Sequence, residues 1–213
     1  MKKRKDARDI ITISRLLEES AHTIIENIQE ESLAVYCFLR NQFEATDVVS
    51  NYLFQFLYRS FFRLDNAGLT REMKAEYFRI LADFKTNQNF DLVKAVKHLW
   101  SFPALSGKNT LQFSFCTKMA NMLDEQHPIY DDKVVSVFGL KQPYATLDFN
   151  EKLQTYLAQL SIIRDGYKSI VDKELLPKLL ESFDNRFDSY PVTTFKKLDF
   201  IFWSAGKTGK FGH

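Results

Sequence analysis

The chain has 213 residues, of which 45% are hydrophobic and 26% charged, a balance typical of a folded globular protein that excludes a disordered one. Its 29 Lys and Arg residues nearly cancel its 27 Asp and Glu residues, so the net charge of +2 excludes a general polyanion binder. No apolar run approaches the roughly 18 residues that a membrane-spanning helix needs, so we expect no membrane contact.

The two ends of the chain are polar or rich in glycine. A basic run at 2–5 is followed by Asp6, Arg8 and Asp9 rather than by the apolar segment of a secretory signal. Three of the seven glycines fall in the last eight residues. We expect residues 1–9 to form a basic flexible N-terminus and residues 206–213 a flexible tail.

The two cysteines, Cys37 and Cys116, each lie among apolar neighbours. This setting favours buried free thiols over a disulfide. We therefore expect a protein of a reducing compartment, the cytoplasm.

Apolar residues recur every three or four positions along most of the chain, which is the helical period. The first such stretch, 10–43, is long enough that we expect a break near Ser20 or Glu31. A stretch over 175–187 tolerates Pro177 in its first turn. The other helices are predicted to start at residues that cap N-termini: Thr46-Asp47, Thr70, Asn89 or Asp91, Asn109 or Thr110, Asp131-Asp132, Asn150, and Thr193 or Thr194.

These stretches predict an all-α protein. Seven Gly and five Pro are too few for the many tight turns of a sandwich or barrel, and no segment has the alternation of a strand. We expect one domain of about nine helices over 10–205, with two lobes that meet near 101–110, where Pro103 and Gly107 mark a loop.

Metal and cofactor motifs are absent from the sequence. The four histidines are far apart, and neither a Cys-x-x-Cys nor a His-Glu-x-x-His pattern occurs. We predict no metal site and no cofactor.

The most informative stretch runs from 105 to 134. A loop with Gly107 leads into an apolar helix, and a short segment with Pro128, Ile129, Asp131 and Val134 follows it. This order resembles the second half of the helix-hairpin-helix DNA glycosylase superfamily, whose members carry a glycine-rich hairpin, a buried helix and a similar proline–isoleucine–aspartate segment.

The resemblance implies a DNA-binding helical protein that recognises or cleaves a damaged base in double-stranded DNA. It assigns the catalytic carboxylate to Asp131, which would stabilise the sugar cation formed as the base leaves. A carboxylate at a helix start stays ionised beside the helix dipole, as this role requires. It also places residues near the nucleic acid: Gly107, Lys108, Asn109, Lys118 and Lys133.

Three alternatives remain open. Asp131 is also a good N-cap for a purely structural helix. The aromatic run 198–203, with Trp203, fits a hydrophobic core as well as a surface that stacks on bases. The alternative function is a non-enzymatic, all-helical interaction module, acting as a homodimer through an exposed Phe-rich face.

Overall fold

The computed structural model describes residues 7–211. This part of the chain forms eleven α-helices and one short 3-10 helix, Leu64–Asn66. No strand occurs in it, and one isolated bridge joins Pro103 and Asn109. The all-α prediction is therefore confirmed. The α-helices are α1 Ile10–Glu18, α2 Ala21–Glu26, α3 Glu30–Ala45, α4 Tyr52–Phe61, α5 Arg71–Asn87, α6 Leu92–Trp100, α7 Phe113–Leu123, α8 Asp132–Val137, α9 Phe149–Asp172, α10 Pro177–Arg186 and α11 Thr194–Ala205.

The helix count differs from the predicted nine because the stretch 10–43 contains three helices. The break predicted near Ser20 is confirmed, since Ser20 precedes α2. A second break falls at 27–29, where the Ile28 N–H bonds to the Ile25 carbonyl three residues back and the chain leaves the helix. Ile28 is buried, so this break serves the core while it ends the helix.

Polar side chains cap most helix starts. The predicted caps Thr70, Asp91 and Thr193 each accept the N–H three residues ahead. Pro177 occupies the first turn of α10, as predicted.

Three predicted helix starts are wrong. Asn51 caps α4, Gln112 precedes α7 and Asp148 caps α9. Asp148 outcompetes Asn150 because it forms a capping box in which Glu151 bonds back to its backbone.

The described chain folds as two compact units. Unit 1 comprises residues 7–30 and 126–211, and unit 2 comprises residues 31–125. The junction predicted at 101–110 lies inside unit 2, because that stretch closes a turn whose Leu105 N–H bonds to the Gly68 carbonyl of the same unit.

The core of unit 1 forms where α8, α9 and α11 meet. The rings of Phe138 and Phe202 stack with centroids 5.2 Å apart, and Tyr167 lies 5.0 Å from Phe202. Helix α8 packs on α11, and α2 packs on α10 and α11. Helix α1 covers α9.

The described parts of the two ends, which the sequence predicted to be flexible, make specific contacts in unit 1. The Arg8 guanidinium donates to the carbonyls of Ser136 and Val137, 2.8 and 2.9 Å away, at the C-terminal end of α8. Phe211 is buried and its carbonyl accepts from Arg8 at 3.3 Å. Residues 1–6 and 212–213 lie outside the described residues.

The core of unit 2 is an aromatic cluster around Tyr58. Its ring lies 4.6 Å from Phe62, 5.6 Å from Phe78 and 5.8 Å from Tyr77. Cys116 is a buried free thiol, as predicted, whereas Cys37 is half-buried. None of the helices in residues 7–211 is both long and apolar enough to cross a membrane.

Candidate functional site

The 127–131 segment joins α7 to α8 and contains the residues on which the sequence resemblance depends. Pro128, Ile129 and Tyr130 are buried. Asp131 is extended and is the N-cap of α8, where its Oδ1 accepts the Lys133 N–H at 2.9 Å. The predicted position of Asp131 at a helix start is therefore confirmed.

Side chains of two other helices hold this segment in place. Asp199 of α11 accepts the Ile129 N–H at 3.2 Å. The Tyr130 hydroxyl donates to Gln159 Oε1 of α9 at 2.5 Å. Three residues in a row before α8 are thus fixed by burial, by hydrogen bonds or by both.

A further contact on α9 fixes the start of the segment. Arg164 Nη2 lies 3.5 Å from Nδ1 of His127. Bonds from both α9 and α11 therefore hold the loop before Asp131.

A buried charged pair supports the segment from α11. The Lys196 Nζ lies 3.5 Å from Asp199 Oδ2, and the Tyr167 hydroxyl donates to Asp199 Oδ1 at 3.3 Å. Burial raises the pKa of Asp199 to about 6, against the opposing effects of the Lys196 charge and of the bonds from Ile129 and Tyr167. At neutral pH, above this pKa, the carboxylate is ionised, and Lys196, Ile129 and Tyr167 are among the groups that hold it.

A polar chain continues on the other side of Tyr130. The Tyr156 ring meets the Tyr130 ring edge-on at 5.2 Å, and its hydroxyl donates to Gln142 Oε1 at 3.2 Å. The Gln142 amide in turn donates to Asp132 Oδ1 at 2.7 Å. The two neighbouring acids of α8 thus differ, since Asp131 caps the helix while Asp132 fixes the loop at 142.

The backbone of Lys133, the next residue, lies against the end of α11. A Cβ on Gly206 would stand 2.7 Å from the Lys133 Cβ, so the close approach needs glycine at 206. The Lys133 side chain itself is exposed. Asp131 and Lys133 therefore share one rigid helix start, and Lys133 points its charge to solvent.

The other three exposed candidates form one turn in unit 2. The Ala104 N–H bonds to the Lys108 carbonyl at 2.9 Å, and Gly107 takes a φ of +74°. Gly107, Lys108 and Asn109 are all exposed. The sequence predicted that the turn leads directly into α7. That prediction is wrong, because α7 begins at Phe113.

The remaining candidate, Lys118, has a different environment. It is 8% exposed on α7, its Nζ donates to Ser114 Oγ at 3.2 Å and it lies 4.7 Å above the Phe115 ring. Its ammonium is thus largely withdrawn from solvent.

The structure therefore groups the predicted residues in two sets. Asp131 and Lys133 belong to unit 1, whereas Lys118 and the turn residues belong to unit 2. Trp203, predicted for base stacking or for the core, is half-buried, and the Lys207 ammonium lies 3.1 Å from its ring centroid.

The residues that sequence reasoning missed are the supports of the segment: Asp199, Lys196, Tyr167 and Gln159. The sequence did contain one signal for these supports. Lys196 and Asp199 are three residues apart, so they lie on the same side of their helix, and the other residues of that side are mostly apolar. A charged pair at that spacing within an apolar run indicates a buried pair. Gln159 lies in an ordinary amphipathic stretch and gave no signal.

Metal ligands do not cluster in the part of the chain that the structure describes: residues 7–211 contain no group of three His, Cys, Asp or Glu side chains arranged to hold an ion. Comparison with models of protein families, with curated proteins and with solved structures finds no match to this chain.

Proposed function

We propose that the chain binds double-stranded DNA and removes a damaged base, with Asp131 as the catalytic carboxylate. The observation that carries the proposal is the support of Asp131: the segment before it is bonded to Asp199 and Gln159 from two different helices. A structural N-cap needs no such support, whereas a catalytic group must be held within a fraction of an ångström.

The chemistry asked of Asp131 is electrostatic. When the bond between C1′ and the base breaks, the sugar becomes a cation, and a carboxylate beside it stabilises the transition state. Asp131 uses Oδ1 for the helix cap, and among the described residues its Oδ2 accepts no hydrogen bond. Oδ2 is therefore the oxygen that we assign to the sugar cation. The electron pair of the C1′–N bond leaves with the base, which takes a proton from solvent, and a water oxygen then bonds to C1′ and loses a proton to solvent.

Exposed polar and basic side chains would contact the phosphates. Lys108 and Asn109 lie in the exposed turn with Gly107, and Lys133 is exposed two residues after Asp131. Lysines that neutralise phosphates release counterions, so binding through them weakens as salt rises. We leave Lys118 out of this set because its ammonium is buried against Phe115.

The decisive experiment compares two neighbouring acids. Duplexes that carry damaged or mismatched bases are incubated with the wild type, with Asp131→Asn and with Asp132→Asn, and base release is measured. Asn is as good an N-cap as Asp, so Asp131→Asn keeps α8 intact while it removes the charge. We expect base release to fall about 100-fold or more in Asp131→Asn and to stay within about threefold in Asp132→Asn.

A second measurement tests DNA binding separately. Lys108→Ala and Lys133→Ala are each expected to weaken binding to any duplex and to lower the salt slope by about one. Lys178→Ala, an exposed lysine on α10, is the matched control. Absence of base release from every lesion, together with DNA binding that does not depend on salt, would refute the proposal.

The second candidate function is protein contact without catalysis. The observation that favours it is a set of large apolar residues exposed on α4: Tyr52, Leu53 and Phe56. Such patches mark interaction surfaces more often than chance. If neither base release nor DNA binding is found, this function is the one that the structure supports.

A further inference from the structure

Helix α4 is apolar on two opposite faces. One face, with Phe54 and Tyr58, is buried in the aromatic core of unit 2. At 100° per residue the exposed residues Tyr52, Leu53 and Phe56 fall within an arc of about 100° on the other side of the helix. A helix that is apolar all round is normally buried all round, so this second face lacks a partner in the described chain.

The outer face of α4, defined by Tyr52, Leu53 and Phe56, is unusually exposed. These side chains are 78%, 61% and 57% exposed, and Val49 is exposed just before the helix. The Gln55 amide donates to the carbonyls of Val48 and Val49, which ties Val49 to the first turn of α4. The outer face is therefore built on a fixed helix start rather than on a loose loop.

Opposite charges mark the two ends of the outer face. Asp47, before the helix, accepts from the Val49 N–H at 3.0 Å and from the Ser50 hydroxyl at 2.7 Å, so its carboxylate is fixed and exposed. Arg63, after the helix, is exposed with a φ of 58°. Between them Arg59 is the one charged residue of α4: it lies beside Tyr52 and Phe56, is half-buried and is paired with Asp65 at 3.2 Å, and Ser60 is the one further exposed residue of the helix.

We propose that the outer face of α4 binds the same face of a second copy of the chain, with the two α4 helices antiparallel. In that arrangement Asp47 of each copy meets Arg63 of the other, and the three apolar residues pack together at the centre. A parallel arrangement would place like charges together at both ends. Antiparallel helices also pair the positive end of each dipole with the negative end of the other.

The area of the face sets the strength of this dimer. The three side chains expose roughly 400–500 Å² in each copy, which is the size of a large patch on a single protein. Pairing would bury about 800–1,000 Å² in total before the rim is counted, at the lower limit of specific interfaces. The dimer is therefore expected to be reversible and to depend on concentration.

The first test measures mass against concentration by light scattering after gel filtration and by sedimentation. The wild type is expected to shift from monomer to dimer below about 100 µM. Phe56→Glu should weaken the dimer at least tenfold, because it buries a charge at the centre of the interface. Tyr144→Glu, which changes a residue of similar exposure (66%) in unit 1, should leave it unchanged.

The second test measures the orientation. In a Cys37→Ser background, Val49→Cys and Ser60→Cys proteins, which change exposed uncharged residues, are oxidised separately and as a mixture. An antiparallel dimer gives the cross-linked species in the mixture and little in either protein alone, since the two positions face each other across the dimer axis. Cross-linking of each protein with itself would overturn the antiparallel arrangement.

A wild type that stays monomeric at all concentrations, or a Phe56→Glu protein that dimerises like the wild type, would overturn the inference. The test involves neither Asp131 nor DNA. Its failure is therefore distinct from a failure of the proposed base excision.

Discussion

Both units bury tyrosine hydroxyls in an aromatic core, but they give them different partners. In unit 2 the hydroxyls of Tyr58 and Tyr77 lie 2.8 Å apart, and Tyr77 donates to the Phe115 carbonyl at 2.9 Å. In unit 1 the Tyr167 hydroxyl donates to the Asp199 carboxylate, which also pairs with Lys196. The first cluster is neutral and the second is ionic.

The difference separates a structural cluster from one that positions a segment. Burial raises the pKa of both Tyr58 and Tyr77, so they stay neutral and lose little by desolvation. Asp199 and Lys196 lose the hydration of two charges, and an apolar pair of the same size would often be as stable. In exchange, Asp199 accepts a hydrogen bond that an apolar residue could not accept, from the Ile129 N–H before Asp131.

The largest effect should come from breaking the ionic cluster on one side. Asp199→Leu leaves the Lys196 ammonium, the Tyr167 hydroxyl and the Ile129 N–H buried with one partner fewer. We expect the free energy of unfolding in urea to fall by about 3–5 kcal/mol. Amide exchange should also become faster along the 127–131 segment.

The double variant Lys196→Met, Asp199→Leu is the matched control. It removes both charges, so much of the lost stability should return. The exchange rate of the Ile129 amide should remain high, because its acceptor is still missing. A double variant no more stable than the single one would contradict the account of Asp199 as half of an ion pair.

The ionic cluster should also respond to pH. Burial raises the pKa of Asp199 to about 6 from an ordinary value near 4, so between these values the folded state binds a proton that the unfolded state has released. The contribution of Asp199 to stability is therefore complete below pH 4 and is lost as the pH rises through 6. The free energy of unfolding therefore falls by at most about 1.4 kcal/mol per pH unit between these values, or by roughly 2–3 kcal/mol in all.

Urea unfolding of the wild type and of Asp199→Asn at pH 4, 5, 6 and 7 measures this loss. The variant keeps an acceptor for Ile129 and Tyr167 but has no proton to release. Taking the difference between the two proteins cancels the other carboxylates. If that difference is constant across the four pH values, Asp199 does not titrate in this range.

The sequence predicted local structure well where one residue decides it. Thr70, Asp91 and Asp131 each precede a helix, and their short side chains can bond to the N–H groups of the first turn without help from distant residues. Helix α9 shows where this reasoning ends: both Asp148 and Asn150 are good caps, and the partner Glu151 decided between them.

The candidate site was predicted in one part only. Asp131 was found because a local pattern marks it, but its supports Gln159, Tyr167 and Asp199 lie 28 to 68 residues further along the chain. Their roles depend on how α9 and α11 pack on α8, which no local pattern contains. Lys118 shows the reverse case, since the resemblance predicted a contact with nucleic acid and the position of Lys118 on α7 buries it.

The smallest effects are expected in the neutral cluster of unit 2, and they should be unequal. Tyr77 has one hydroxyl proton, which it donates to Phe115, so Tyr58 must be the donor to Tyr77. Tyr77→Phe therefore leaves the buried Tyr58 hydroxyl without its acceptor and takes a side-chain donor from the part-buried Phe115 carbonyl, which keeps its place in α7, at a cost of about 2 kcal/mol. Tyr58→Phe leaves the Tyr77 oxygen with one unused lone pair and should cost less than about 1 kcal/mol. Urea unfolding at pH 5 and pH 7 measures both losses of stability. Neither loss should change with pH, because both hydroxyls stay protonated. Equal losses in the two variants would contradict the assignment of Tyr58 as the donor to Tyr77.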